Sequence, residues 1–332
     1  MTERRLKWGI LGVSRIGNKL IPAIQKAASS EAYAIASRDL KRSREAADKF
    51  KIAKAHRSYE DLIGDSEIDV IYIPLPNALH FEWMVKAVKN GKHILCEKPL
   101  CVTREQTQKA ILAAKENQVK WMEGYMWPHH PRTQALRKIV DSGRLGKVRH
   151  VNTALNFLLT DEYSLSRRTP ELGGGSLYDV GCYCISGIRW AFQEEPLSVF
   201  SSAVYKNGID TEMSALLEFS DGKSALFHSS FNHAYRGTLE VVGTEAILRV
   251  PQMWNPFSNS DAEIWEKGEL KETLKFETAD QVTTMIENFN RHILFDEALP
   301  LGSQDSLENL AVIDALYKSS QVNGKIKIEK LG

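Results

Sequence analysis

The chain has 332 residues, 43% of them apolar and 26% charged, with a formal net charge of +1. That is the balance of an ordinary globular protein, long enough for two domains. Lysine and arginine are spread along the whole sequence, so no basic face for nucleic acid or an anionic membrane is expected.

No apolar run reads as a secretory signal or a membrane span. The four cysteines, Cys96, Cys101, Cys182 and Cys184, show neither C-x-x-C spacing nor a disulfide framework. They predict reduced thiols, a cytoplasmic setting and no metal centre.

The first element is KWGILGVSRIG, Lys7 to Gly17. A strand-like apolar run breaks at Gly12, and a small-residue turn leads into NKLIPAIQKA, which has helical spacing. Strand, glycine turn and helix in that order present backbone N–H groups to a pyrophosphate. Gly12, Ser14 and Gly17 match G-x-G-x-x-G with serine in the middle place. Gly12, Ser14, Arg15 and Ile16 are the phosphate-side candidates.

Next, EAYAIASRDL reads as a second strand running into a charged helix. A dinucleotide's adenosine ribose is read at the strand end about 20 positions after the glycine turn. That place holds Ser37 and Arg38. A guanidinium offers a fork of donors to a 2′-phosphate, which favours NADP and leaves NAD possible, because Asp39 is adjacent and could turn inward.

IDVIYIPLP is a near-continuous apolar strand of the kind buried on both faces of a parallel sheet. ALHFEWMVKAVKNG is a helix, KHILCEKP another short strand and TREQTQKAILAAKENQ another helix. Strands alternating with helices predict a doubly wound parallel sheet whose ligands sit at the strands' carboxyl ends. Two of those ends carry chemistry. One holds Pro74, Leu75, Asn77 and His80, and the other Glu97 and Lys98.

The character changes at WMEGYMWPHHPR, which marks a crossing between a first domain, 1–125, and a second, 126–332. Strand-like runs then dominate: KVRHVNTALNF, LSVFSSAVY, TEMSALLEF, KSALFHSSF, GTLEVVGTEAILRV and AEIWEKG. They predict a largely antiparallel sheet. One helical stretch, TPELGGGSLYDVGCYCISGIRWAF, is embedded among them. Two helices, DQVTTMIENFNRHILFDE and SLENLAVIDALYKSSQ, close the chain before a short final strand. The fold class is therefore α/β, a Rossmann domain followed by an α+β domain with an open sheet.

Asp179 and Tyr183 are four apart, which on a helix stacks them one turn from each other. Hydride transfer to a ketone leaves an alkoxide that needs a proton. A tyrosine with an ordinary pKa near about 10 is a weak acid for that task, and a nearby ammonium strengthens it. Lys98, wedged between Glu97 and Pro99 at a strand end, is the candidate ammonium. These three groups are expected to converge beside a nicotinamide. Trp127, His130 and Arg167 are candidates for touching substrate.

Taken together, GILGVSRIG, PLPNALH, EKPL and GGGSLYDVGCYCIS resemble the glucose-fructose oxidoreductase/inositol dehydrogenase (Gfo/Idh/MocA) family, over nearly the whole chain. The resemblance implies a Rossmann domain with NAD or NADP, a substrate from the sugars, cyclitols and related diols, and an open sheet that makes homodimer or homotetramer contacts. It also implies that Lys98 is the lysine of the family's E-K-P motif, followed by a cis bond to Pro99. Where many members have histidine, Tyr183 resembles the subgroup of glucose-fructose oxidoreductase, xylose dehydrogenase and dimeric dihydrodiol dehydrogenase, in which tyrosine is the proton donor or acceptor.

The subgroup usually reads M-Y-R-F-H-P between domains. This chain has Met126, Trp127, Pro128, His129, His130 and Pro131. The implied function is an NADP-dependent oxidoreductase of a sugar or sugar derivative. A trans-dihydrodiol or sugar-nucleotide keto-reductase and a non-catalytic NAD(P)-binding sensor are the alternatives.

Overall fold

A computed structural model describes residues 4–160, 165–256 and 261–329. The chain divides into two compact units, Met1–His129 with Asp280–Ser306, and His130–Ala279 with Leu307–Gly332.

In the first unit strands and helices alternate: β1 (Leu6–Leu11), α1 (Gly17–Lys26), β2 (Ser30–Ala36), α2 (Leu40–Phe50), β3 (Lys54–His56), α3 (Tyr59–Gly64), β4 (Val70–Ile73), α4 (His80–Lys89), β5 (His93–Cys96), α5 (Arg104–Glu116) and β6 (Trp121–Glu123). All neighbouring strands pair in parallel, in the order β3-β2-β1-β4-β5-β6. All four residues of β4 are fully buried, because helices cover both faces of the sheet. Helix starts are set locally: the side chains of Asp39, Ser58 and Thr103 accept from the N–H groups of Lys41, Asp61 and Gln106. The strand order reverses beside β1, so the carboxyl ends of β1 and β4 open a crevice.

The second unit begins with α6 (Pro131–Asp141) and β7 (Val148–Leu158), followed by α7 (Cys182–Phe192). Its sheet is completed by β8 (Ser198–Lys206), β9 (Ile209–Glu218), β10 (Ser224–Ser230), β11 (Asn232–Gly243), β12 (Ile247–Val250), β13 (Ala262–Glu266) and β14 (Glu269–Leu274). After α8 (Gln281–Phe295) and α9 (Ser303–Val322), β15 (Ile326–Lys327) joins the sheet's edge beside β8. The order is β14-β13-β12-β11-β7-β10-β9-β8-β15, antiparallel throughout except for the parallel pair β10 and β7.

The expected boundary at 125/126 falls instead at 129/130, and residues 280–306 return to the first unit. The return is driven by burial. Met285, Ile286 and Phe289 of α8 are fully buried in one core with Trp8, Leu20 and Ile24, and the Trp8 and Phe289 rings meet edge-on at 6.0 Å. Each such side chain contributes about 1.5–3 kcal/mol.

Candidate active site

Gly12 has φ +121°, and a Cβ added there would come within 3.0 Å of Leu75 Cδ2 and 3.4 Å of the Tyr59 hydroxyl. Only glycine fits this turn, and its bare backbone leaves a cradle for a phosphate group. The serine in the middle place of the motif works locally, its Oγ accepting from the N–H of Gly17 at 3.1 Å. It closes the turn at the start of α1. Ile16 is the N-cap of α1, and Arg15 is exposed beside it.

At the end of β2, Ser37 is buried and Arg38 exposed. The Asp39 carboxylate is spent as the N-cap of α2, accepting from the N–H of Lys41 at 2.9 Å. It does not turn toward a ribose. Arg38 and Arg42 both lie close enough to Tyr59 to favour its ionised form, against the stronger opposing effect of burial. Tyr59 stands edge-on to Trp83 at 4.9 Å and reaches the Gly12 turn. Tyr59 and Arg42 were not among the expected residues. The spacing of RDLKR carried a signal for Arg42, whereas Tyr59 arrives from α3.

The lysine loop is fixed from several sides. Lys98 is half-buried at the carboxyl end of β5, and its bond to Pro99 is cis. The Pro99 carbonyl lies 2.9 Å from His80 Nδ1, the Leu100 N–H donates to Glu123 Oε1 at 2.8 Å, and the Tyr72 hydroxyl donates to Glu97 Oε1 at 2.8 Å. A chain pinned at 97, 99 and 100 holds the residue between them.

His80 sits between two backbone segments. It is fully buried, and its other ring nitrogen, Nε2, lies 2.8 Å from the Leu75 carbonyl. The single N–H of the neutral ring can donate to one of these two carbonyls, linking it to the PLPN turn or to the lysine loop. Burial, more than the nearby Lys98, lowers its pKa and opposes its charged form. Pro74 is buried at the end of β4, and Leu75 and Asn77 are half-buried in the turn that follows.

Glu123, at the end of β6, was not foreseen. It also accepts from Ser306 Oγ, and burial pushes its pKa up to about 7. It lines a cavity of about 410 Å³ within the first unit, along with Trp121, Tyr125, His129, His292 and Ser306. Trp127, a candidate for touching substrate, is wholly buried.

In the second unit, Leu177–Gly181 forms a π-helical turn leading directly into α7. The four-residue spacing of Asp179 and Tyr183 therefore spans a widened turn, a form that recurs at functional sites. The Asp179 carboxylate is held by Arg167, with Nε 2.6 Å from Oδ2 and Nη2 3.3 Å from Oδ1. Arg167 is thus engaged by Asp179 at two points. The triple glycine explains the approach, because a Cβ on Gly174 would stand 2.7 Å from the Arg167 carbonyl oxygen.

Tyr183 is buried, its ring edge-on to Trp254 at 5.9 Å. Its helix is anchored by a residue that sequence reading missed. Asp210, 1% exposed, accepts from the Leu177 N–H and Ser176 Oγ at 2.7 Å each and from the Tyr317 hydroxyl at 2.7 Å. His130 caps α6 through Nδ1, which accepts from the Arg132 N–H at 3.1 Å. Burial and Arg132 lower its pKa to about 4, and its Nε2 has no hydrogen-bond partner among the described residues.

A glycine turn opening a helix at a parallel sheet's switch point is the geometry of a dinucleotide site, and the carboxyl end of β5 in the same sheet carries Lys98. Residues 6–125 match the model of the oxidoreductase family with an NAD-binding Rossmann fold, and residues 133–249 match the GFO/IDH/MocA C-terminal domain. The chain belongs to the Gfo/Idh/MocA family and is an NAD(P)-dependent oxidoreductase acting on CH–OH groups.

It is 34% identical to D-xylose 1-dehydrogenase (NADP(+)) 2 of Haloferax volcanii, over 98% of this chain and 100% of that one. It is 33% identical to trans-1,2-dihydrobenzene-1,2-diol dehydrogenase of Xenopus laevis, over 76% and 77%. Among solved structures it is similar to KijD10, a 3-ketoreductase from Actinomadura kijaniata in complex with NADP and TDP-benzene. That match has a TM-score of 0.90 and 26% identity, and covers 95% of this chain and 98% of the other. No helix among the described residues is long and apolar enough to cross a membrane.

Proposed function

We propose that this enzyme uses NADP to interconvert a secondary alcohol or hemiacetal of a sugar, or of a sugar derivative, with the corresponding carbonyl compound. Tyr183 is the proton donor or acceptor, and Lys98 and Asp179 assist it. The observation that carries the reading is the fixed lysine loop, where the Glu97 N–H donates to the Ile73 carbonyl before Lys98, and His80 and Glu123 hold the backbone at Pro99 and Leu100 after it. A residue held so closely is suited to preorganised electrostatic work. Arg38 just after β2 and Arg42 in the first turn of α2 support the preference for a 2′-phosphate.

The bound dinucleotide supplies the hydride when the carbonyl is reduced and accepts it when the alcohol is oxidised. Gly12, Ser14 and the N–H groups opening α1 hold its phosphates. Lys98 hydrogen-bonds the reacting oxygen and stabilises negative charge on it. Tyr183 moves the proton at that oxygen, and Arg167 orients the carboxylate of Asp179 one turn before it. The test is Tyr183→Phe. NADPH affinity is expected to stay within about twofold while turnover on a panel of aldoses falls about 10²–10⁴-fold. An unchanged rate would assign the proton transfer elsewhere.

A second reading, sugar-nucleotide keto-reduction, is favoured by the similarity to the ketoreductase holding TDP-benzene, and by loss of the arginine and phenylalanine from the segment at 126–131. A dTDP-keto-sugar in the same panel separates the two. We further propose self-association through the second unit's sheet. Phe200, Leu216 and Leu226 form an apolar row across β8, β9 and β10, with Phe200 40% and Leu226 44% exposed. Leu226→Arg is expected to reduce the sedimenting mass.

A further inference from the structure

A glutamate and two histidines meet on one face of the second unit's sheet. In β10, Ser229 is buried with its Oγ 3.3 Å from Ser176 Oγ, below the turn that leads to Tyr183. Side chains alternate along a strand, so His228 stands on the opposite face. Glu212 reaches that face through an irregularity. Val204 pairs with Glu212 and Tyr205 with Asp210, so Thr211 is an extra residue, and Asp210 and Glu212 point to opposite sides of the sheet although they are two apart. Ser214 is directly opposite His228 and Glu212 is its diagonal neighbour.

The third residue follows the end of β10. The Phe231 N–H donates to the Thr211 carbonyl at 2.9 Å, and the Asn232 amide donates to Thr211 Oγ1 at 3.2 Å. The ladder between β11 and β7 then breaks between Asn232 and Arg236, and His233 is the first residue in the break. His228 Nε2 lies 3.2 Å from Glu212 Oε1, and His233 Nε2 lies 3.5 Å from Glu212 Oε2. The two imidazoles stack at 5.1 Å with 19° between their planes, and the three ligand atoms all lie within 4.8 Å of one another.

We propose that Glu212, His228 and His233 bind one divalent transition-metal ion, with Zn²⁺ the best fit. Two imidazoles and a carboxylate are a borderline donor set, suited to zinc and cobalt, whereas magnesium and calcium take oxygen donors. Bonds of about 2.0–2.1 Å in a tetrahedron put ligand atoms about 3.3 Å apart. Each histidine nitrogen is within about 0.2 Å of that distance from one oxygen of the Glu212 carboxylate, His228 from Oε1 and His233 from Oε2, so a small rotation of the carboxylate would be needed to share one ion. Water fills the fourth position.

The ion ties β9 to the start of β11 on the face away from Ser176, so its role is structural. His228 and His233 are five apart in the sequence, but Glu212 lies sixteen residues earlier on another strand, so the set of three is not visible as one motif.

The test uses the full chain, dialysed against chelator and then titrated with CoCl₂ near neutral pH. One equivalent is expected to bind with Kd at or below about 10 µM, giving the visible bands of four-coordinate cobalt, and ZnCl₂ should displace it. Glu212→Gln and the pair His228→Ala with His233→Ala should each weaken binding at least about tenfold and leave NADPH affinity unchanged, which also checks folding. Absence of saturable binding by the unaltered chain overturns the proposal, as does unchanged binding by the double variant. The latter result would place the ion elsewhere; the former leaves a plain histidine-carboxylate ion pair.

Discussion

Arg167 holds Asp179 at two points, and the backbone behind it is held as well, because the Gly175 N–H donates to the Arg167 carbonyl at 3.2 Å. The guanidinium is about one-third exposed and the carboxylate less so. Removing the arginine strands a partly buried anion one turn before Tyr183. For Arg167→Ala we expect a loss of about 1–2 kcal/mol in urea unfolding and a fall of about tenfold in kcat for every substrate. A rise in KM confined to phosphate-bearing substrates would instead identify Arg167 as a direct substrate ligand.

Arg38 just after β2 and Arg42 in the first turn of α2 both act electrostatically on Tyr59, and Asp39 between them is committed to capping α2. The carboxylate that would repel a 2′-phosphate is therefore turned to the helix. Arg38→Ala should weaken NADPH binding about 10- to 100-fold and leave NADH binding within about twofold, as read by fluorescence titration. Equal affinities in the unaltered enzyme would refute the 2′-phosphate reading. Asp39→Ala should cost about 1 kcal/mol of stability with little change in preference, because it removes a cap.

These cases mark how far the amino-acid order alone could be read. Patterns with a long period were legible: the all-apolar β4, the strand-turn-helix at Gly12 and the alternating runs of β7 to β10 gave both sheets. The E-K-P and Y-D-V-G-C-Y segments gave the candidate chemistry. Elements set by distant partners were not legible. Strands β3 and β6 have three residues each, too few to show a period, and they exist because a neighbouring strand offers them a ladder. The return of α8 to the first core rests on Trp8 meeting Phe289 across most of the chain. His80 reads as a cofactor residue because it follows the PLPN turn, and nothing local announces the two backbone carbonyls beside its ring.

His80 is a strut, and its substitution separates that role from cofactor contact. His80→Leu preserves bulk and removes the ring N–H that serves the Leu75 or the Pro99 carbonyl. We expect a loss of about 1–3 kcal/mol in thermal or urea unfolding and kcat lowered more than KM, since Lys98 loses its fixed backbone. His80→Gln, which restores a donor, should recover part of both. A direct ribose ligand would behave differently, raising the Kd for both dinucleotides with stability unchanged.

Glu123 gives a pH dependence with a definite sign. Burial is the largest influence on it and raises its pKa to about 7, over the opposing hydrogen bonds from Ser306 and the Leu100 N–H and the more distant Lys98. A carboxyl that titrates higher in the folded chain than in the unfolded one favours folding below the unfolded value. That contribution fades as the pH rises through about 7, because the folded state binds more protons across the interval. Glu123→Gln keeps the shape, lets the amide donate to Ser306 Oγ and keeps an oxygen for the Leu100 N–H. Unfolding free energies measured from pH 5 to pH 8 should therefore decline less in the variant, by about 1–2 kcal/mol across the range. Parallel curves for the two proteins would show that Glu123 is ionised throughout, with its charge balanced by Lys98 across the lysine loop.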